Sequence, residues 1–193
     1  AYSDLLKSIK HKLTEENLQM IQKAFDFANS AHEGVRRKSG EPYILHPLAV
    51  ATIVTKEIGL GTKSIVSAIL HDVVEDTDYT LKDIENLFGE KIATIVDGLT
   101  KLEGEFDYLQ AVNFRKMLLT LSDDVRVILI KIADRLHNMR TLDSMPQNKQ
   151  LKISGETLYI YAPLAHGLGL YAIKSELEDL SLKYKYPDQY KII

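Results

Sequence analysis

Cysteine is absent from these 193 residues. That removes disulfide scaffolds, cysteine nucleophiles and every cysteine-ligated zinc or iron–sulfur site. Neither sign of charge is in excess: 24 basic against 27 acidic residues leave a net charge of −3, so nothing global points to nucleic acid. No apolar run approaches the roughly 18 residues of a membrane span, and no basic, then apolar, then small-residue leader opens the chain. The ten glycines are scattered, and none form the patterns that cradle a nucleotide triphosphate. What remains is ordinary globular composition, with 45% hydrophobic and 26% charged residues. At this length, folding buries about 70% of the surface an unfolded chain exposes. The expectation is a single soluble, cytoplasmic domain over residues 1–193. The chain opens at Ala1 rather than methionine, which reads as a trimmed sequence.

Apolar spacing predicts helix after helix. Thr14 can cap a run through Leu18, Ile21, Phe25 and Ala28 that ends near Gly34. A basic loop follows, Val35-Arg36-Arg37-Lys38-Ser39-Gly40-Glu41-Pro42. Pro47 suits the first turn of a second helix reaching about Ile58, closed by Gly59 and Gly61. Thr62 opens a third helix that is expected to run on into His71-Asp72-Val73-Val74-Glu75-Asp76. Thr80-Leu81-Lys82-Asp83 resembles an acidic capping box for a helix stopped at Gly89. Further helices are expected over 90–97, 107–121, 123–140 and 170–184. Residues 125–133 are β-branched enough to pass for a strand. Helix-compatible sequence continues from them without a turn through Met139, so helix is the better reading. No repeat, low-complexity tract or linker is present, and the fold class is all-α.

The polar residues that could carry chemistry begin with His71-Asp72. If the helix continues, His71 and Glu75 share one face and Asp72 and Asp76 the next. Alone, that is as well a solvated helix end as a site. His46 precedes Pro47 where a helix begins, and Asp134 lies in Ala133-Asp134-Arg135-Leu136-His137-Asn138 with Asn138 on its face. Histidines and carboxylates from separated helices can surround an ion only through tertiary packing. His46, His71, Asp72 and Asp134 would form a mixed nitrogen and oxygen set that suits Mn²⁺, Fe²⁺ or Zn²⁺.

The segments around these residues carry a resemblance. A histidine, a His-Asp pair and a distant Asp on a helical bundle resemble the HD-domain metal-dependent phosphohydrolases. More specifically, the stretch Arg37-Lys38-Ser39-Gly40-Glu41-Pro42-Tyr43-Ile44-Leu45-His46-Pro47 is similar to the RelA/SpoT family of (p)ppGpp hydrolase/synthetases. So are His71-Asp72-Val73-Val74-Glu75-Asp76-Thr77, Val96-Asp97-Gly98-Leu99-Thr100-Lys101-Leu102 and residues 133–142. The resemblance implies an all-α HD-domain helical bundle. It also implies manganese-dependent removal of the 3′-pyrophosphate from guanosine tetra- or pentaphosphate. Its implied metal ligands are His46, His71, Asp72 and Asp134, with Glu75 and Asp76 as the catalytic acidic pair. Arg37 and Lys38 would line the nucleotide site, with Ser39, Tyr43, Asn138 and Thr141 near base and ribose. Read alone, the loop around Arg36, Arg37 and Lys38 is a solvated basic turn sooner than a binding site.

The same resemblance implies a synthetase domain after this one in a full-length chain, and no nucleic-acid or membrane partner for this part. The segment 157–166, followed by Glu176-Leu177-Glu178-Asp179-Leu180, is similar to the long bifunctional enzymes, although Gly167 stands where they usually carry arginine. Two other readings stay open: a free-standing small alarmone hydrolase, and a non-catalytic nucleotide-sensing module. His11, His32, His137 and His166 read as structural or surface histidines, with His32 a helix-end residue beside the basic loop. Tyr184, Tyr186 and Tyr190 read as packing for the final helix. Arg115 and Lys116 are further candidates for phosphate contact, and 103–116 is the candidate mobile segment.

Overall fold

The computed structural model describes residues 1–102 and 124–192. The helix expected over 107–121, the segment 103–116, and Arg115 and Lys116 lie outside the described residues. Among those described there is helix and no strand, the one β-type feature being an isolated bridge between Arg36 and Pro42. The chain divides into two compact units. One is built from residues 1–103 with 124–133, the other from 104–123 with 134–193.

In the first unit the helices are α1 (Tyr2–Ile9), α2 (Glu15–Ala31), α3 (Leu45–Ile53), α4 (Thr62–Leu70), α5 (Val73–Asp76), α6 (Leu81–Phe88) and α7 (Glu90–Lys101). Their ends follow local chemistry. Thr14 Oγ1 accepts from the Asn17 amide at 3.3 Å and starts α2. Thr80 and Asp83 form the full reciprocal capping box of α6, with bonds of 3.2 and 2.9 Å, which stabilises such an end by about 1 kcal/mol. α3 widens into a π-helical turn, Val54–Ile58, before Gly59 closes it at φ 83°. α1 carries no cap signal, and its anchoring residues Leu5 and Ile9 become visible as core only in the fold.

α4 is the centre of this unit. It packs against α2, α3 and α7, and Ser64, Ile65, Val66, Ser67, Ala68, Ile69 and Leu70 are all buried. A helix buried on every side has no solvent stripe to keep polar. Ser67 accordingly turns its hydroxyl onto its own helix, donating to the Lys63 carbonyl at 2.7 Å. The continuous helix expected through Asp76 is not formed. α4 ends at Leu70, His71 and Asp72 make a turn, and Val73–Asp76 is a separate single turn. Asp72 sits at φ −100°, ψ −4°, the sparsely populated bridge between α and β backbone where many site residues lie.

The β-branched stretch 125–133 is helical, as part of α8 (Val125–Arg140). Its first half belongs to the first unit, where Val127 packs against α7 at Gly98. A Cβ at that glycine would lie 2.9 Å from Val127 Cγ2, so only glycine allows the two helices this approach.

The second unit holds the rest of α8, then α9 (Gln147–Glu156), a π-helical turn Thr157–Tyr161, α10 (Ala162–Gly167), α11 (Tyr171–Lys185) and α12 (Pro187–Tyr190). α11 packs against α9 and α10. Arg140 clasps Glu176 of α11 through Nε and Nη2, at 2.6 and 2.8 Å. Arg135 donates to Glu156 at 3.1 Å and lies 4.3 Å over the Tyr161 ring. Burial pushes the Arg135 guanidinium down, but Tyr161, Glu156 and Asp134 more than offset this, and its pKa ends raised. The terminal tyrosines do less packing than expected. Tyr186 is exposed, and Tyr190 reaches back to donate to Asp179 at 3.0 Å. Gly167 has open space around it, so glycine in place of arginine there leaves no packing gap.

Candidate metal centre and active site

Two elements aim histidines at one point in the first unit. His46 is the second residue of α3, buried with Pro47 beside it in the first turn. His71 caps the end of α4 and is also buried. Its Nδ1 lies 2.5 Å from the Ala68 carbonyl. A carbonyl oxygen can only accept, so Nδ1 carries the proton and Nε2 is left as a lone-pair donor. That nitrogen faces Asp72 Oδ2 at 2.8 Å, and His46 Nε2 faces the same oxygen at 3.9 Å. The two rings meet edge to face with centroids 5.4 Å apart.

One ligand atom from each of His46, His71 and Asp72 lies within 4.8 Å of the others. Imidazole nitrogens turned toward a carboxylate are a set that a divalent cation suits. Tyr43 holds that same carboxylate oxygen, its hydroxyl donating to Asp72 Oδ2. A hydrogen-bonded partner on a ligand group fixes its direction. This is a different use of Tyr43 from the nucleotide contact implied by the sequence motif.

Glu75 and Asp76 are exposed on α5, the single turn that follows Asp72. The Asp76 amide donates to the Asp72 carbonyl at 2.9 Å, so the acidic pair hangs from the same turn as the Asp72 carboxylate. Asp76 Oδ2 lies 3.6 Å from Nε2 of His32.

The basic loop is a small hairpin. The Arg37 amide donates to the Glu41 carbonyl, the Gly40 amide to the Arg37 carbonyl, and the Tyr43 amide to the Val35 carbonyl, each at 2.9 Å. Gly40 at φ 89° makes the reversal, a conformation open to glycine at little steric cost. Arg37 is half-buried, and Lys38 and Ser39 are exposed at the tip. Arg36 braces the hairpin by donating to the Gly40 carbonyl at 2.8 Å. Beside the hairpin a cleft of about 360 Å³ is lined by His32, Glu33, Arg36, Tyr43 and Ile44 among others.

The remaining sequence candidates lie in the second unit. Asp134 is buried, and Asn138, half-buried, shares its helix face four residues on. Thr141 ends that helix, its hydroxyl donating to the His137 carbonyl at 3.0 Å. His32 is the residue whose surroundings sequence reasoning missed. It is 3% exposed, and its contacts come from residues 11 and 44 positions away, which no local pattern reveals.

Comparison with known proteins follows the same lines. The HD-domain family profile matches residues 24–171. The bifunctional (p)ppGpp synthase/hydrolase SpoT of Escherichia coli (strain K12) is 46% identical over 196 residues, covering 100% of this chain and 28% of that protein. A probable guanosine-3′,5′-bis(diphosphate) 3′-pyrophosphohydrolase of Synechocystis is 51% identical over 179 residues, covering 90% of this chain and 23% of that one. A solved structure, of a metazoan ortholog of SpoT described as hydrolysing ppGpp, is 27% identical with a TM-score of 0.61. That match covers 88% of this chain and 95% of the other. The chain thus spans about a quarter of the length of these curated relatives. With the family profile matched across most of its length, the chain belongs to the HD-domain family, and throughout it is similar to the SpoT-type (p)ppGpp proteins.

Proposed function

We propose that this chain hydrolyses guanosine 3′-diphosphate 5′-di(tri)phosphate at its 3′-pyrophosphate, releasing pyrophosphate and GDP or GTP in the cytoplasm. The observation that carries this is the convergence of His46, His71 and Asp72 within 4.8 Å, in a chain 46% identical to a SpoT enzyme over its whole length. The third nitrogen-or-oxygen source is complemented by Asp134, taken as the fourth ligand on its motif. Manganese is the ion proposed for this set. When bound it would polarise a phosphoryl oxygen and make a coordinated water more acidic.

The chain's own residues then have distinct tasks. Water adds its hydroxyl to the 3′-linked phosphorus, the bond from that phosphorus to the ribose oxygen breaks, and a proton ends on the ribose oxygen. Glu75, exposed beside Asp72, orients that water and accepts its proton, with Asp76 assisting. Arg37 and Lys38 offset the negative charge of a substrate that an acidic cluster would otherwise repel, and the guanidinium plane of Arg37 can stack on the purine. Ser39, Tyr43, Asn138 and Thr141 are proposed as neighbours of base and ribose, with Tyr43 also supporting Asp72. The 193 residues are proposed to form one HD-type unit of a longer bifunctional chain, in which a synthetase domain follows. The deciding experiment is incubation of the protein with guanosine tetraphosphate and Mn²⁺. Release of pyrophosphate is expected, and nucleotide bound but left intact would favour a sensing module instead.

A further inference from the structure

His32 ends α2 with its ring almost wholly buried, 3% exposed. Its Nδ1 lies 3.1 Å from the Ala28 carbonyl, so by the argument used for His71 this nitrogen is the donor. That single bond is all a helix-end histidine needs. The second nitrogen is the unexplained part. Nε2 is buried without a hydrogen-bond partner among the described residues, an arrangement that costs stability unless something offsets it. What it faces, at 3.6 Å, is Oδ2 of Asp76. The ring is held in that attitude by Tyr43, whose ring lies 4.7 Å away at 33°. The hydroxyl of Tyr43 donates to Asp72.

We infer that His32 is the positioning residue for Asp76. Asp76 is the last residue of a one-turn helix and its side chain is 40% exposed, so nothing in α5 itself selects one rotamer for it. In its protonated form, with Nδ1 donating to Ala28, the His32 ring presents an Nε2–H to that carboxylate and supplies a fixed donor on its inner side. Because the same ring rests on Tyr43, the carboxylate of Asp76 and that of Asp72 are referred to one pair of tilted rings in contact. A shift of either would be felt by the other. His32 does not touch substrate; it acts through Asp76, and the inference rests on the hydrolase reading above.

Two amide substitutions separate this from a structural role. His32→Asn keeps a donor near the Ala28 carbonyl and removes the atom facing Asp76, whereas His32→Gln places an amide near the position of Nε2. His32→Asn should lower kcat by about tenfold or more, the usual effect of losing such a supporting partner, with KM, Mn²⁺ affinity and melting temperature unchanged. His32→Gln should keep most of the rate. Combined with Asp76→Asn, His32→Asn should cause no further loss, since the two act as one unit. Wild-type turnover by His32→Asn overturns the inference, as do losses that multiply with Asp76→Asn, or equal losses in both amides with a lowered melting temperature. If the unsubstituted protein releases no pyrophosphate, the hydrolase reading falls and takes this one with it. If it does, these variants test His32 alone.

Discussion

The proton of the His71 ring sits on Nδ1 because the atom 2.5 Å from it, the Ala68 carbonyl oxygen, can only accept. One backbone contact thereby selects the nitrogen turned to Asp72, and the consequence can be measured. His71→Ala and Asp72→Ala should each lose Mn²⁺ binding, read by calorimetry, together with hydrolysis. Glu75→Gln should keep the metal and lose turnover; loss of the metal in that variant would move Glu75 among the ligands. Arg37→Ala should raise KM about five- to tenfold, roughly 1 kcal/mol for a charge at a partly exposed site, with metal affinity unmoved. An unchanged KM would leave the hairpin tip a solvated turn. At this scale the sequence was informative about residue types and poor about partners. His46, His71 and Asp72 were legible as a set because their motifs name them. The use of Arg36 on Gly40 and the approach of His32 to Asp76 were not, because both depend on how the chain turns between them.

Among the elements, the glycines divide by what surrounds them. Gly98→Ala gains up to about 1 kcal/mol of helix propensity but drives a methyl against Val127, where overpacking costs about 1–3 kcal/mol. The balance is destabilising. Gly155, within α9, has nothing within 4 Å of a Cβ, so Gly155→Ala should stabilise. The melting temperature should move by a few degrees in opposite directions, and shifts of the same sign would show that the α7–α8 contact does not decide. The start of α8 makes a second point. The Arg126 guanidinium holds the Asp124 carboxyl well below the usual carboxylate range, with Arg126 donating at 3.0 and 2.8 Å. A carboxyl with a lowered folded pKa stabilises above its unfolded value of about 3.9, and that contribution is lost as the pH falls below it. Urea unfolding should therefore show Asp124→Asn flattening the acid side of the stability profile. An unchanged acid limb would remove Asp124 from the account. Caps and stops at Thr14, Thr80, Gly59 and Gly89 were readable because each depends on neighbours within four residues. The break at His71-Asp72 and the two π-helical turns were not, since residue types on either side suit continuous helix and only packing interrupts it.

For the molecule as a whole, the Escherichia coli relative that carries both a synthase and a hydrolase name is several times longer than this chain. Supplied with ATP and GDP, the 193 residues should form no alarmone while still degrading it; measurable synthesis would overturn the proposed division of labour. The all-α class was evident from spacing, and the core from the apolar run of α4. That helix has a further consequence. From Ser64 to Leu70, with no face toward solvent, α4 has little scope to open by itself, and the amides there exchange with water only as fast as the whole unit opens. His71 and Asp72 begin where it ends, so their geometry is as durable as the fold around it. A damaging substitution far from them, in α2 or α7, would then cut cellular activity by lowering the number of folded molecules, while each survivor works at full speed.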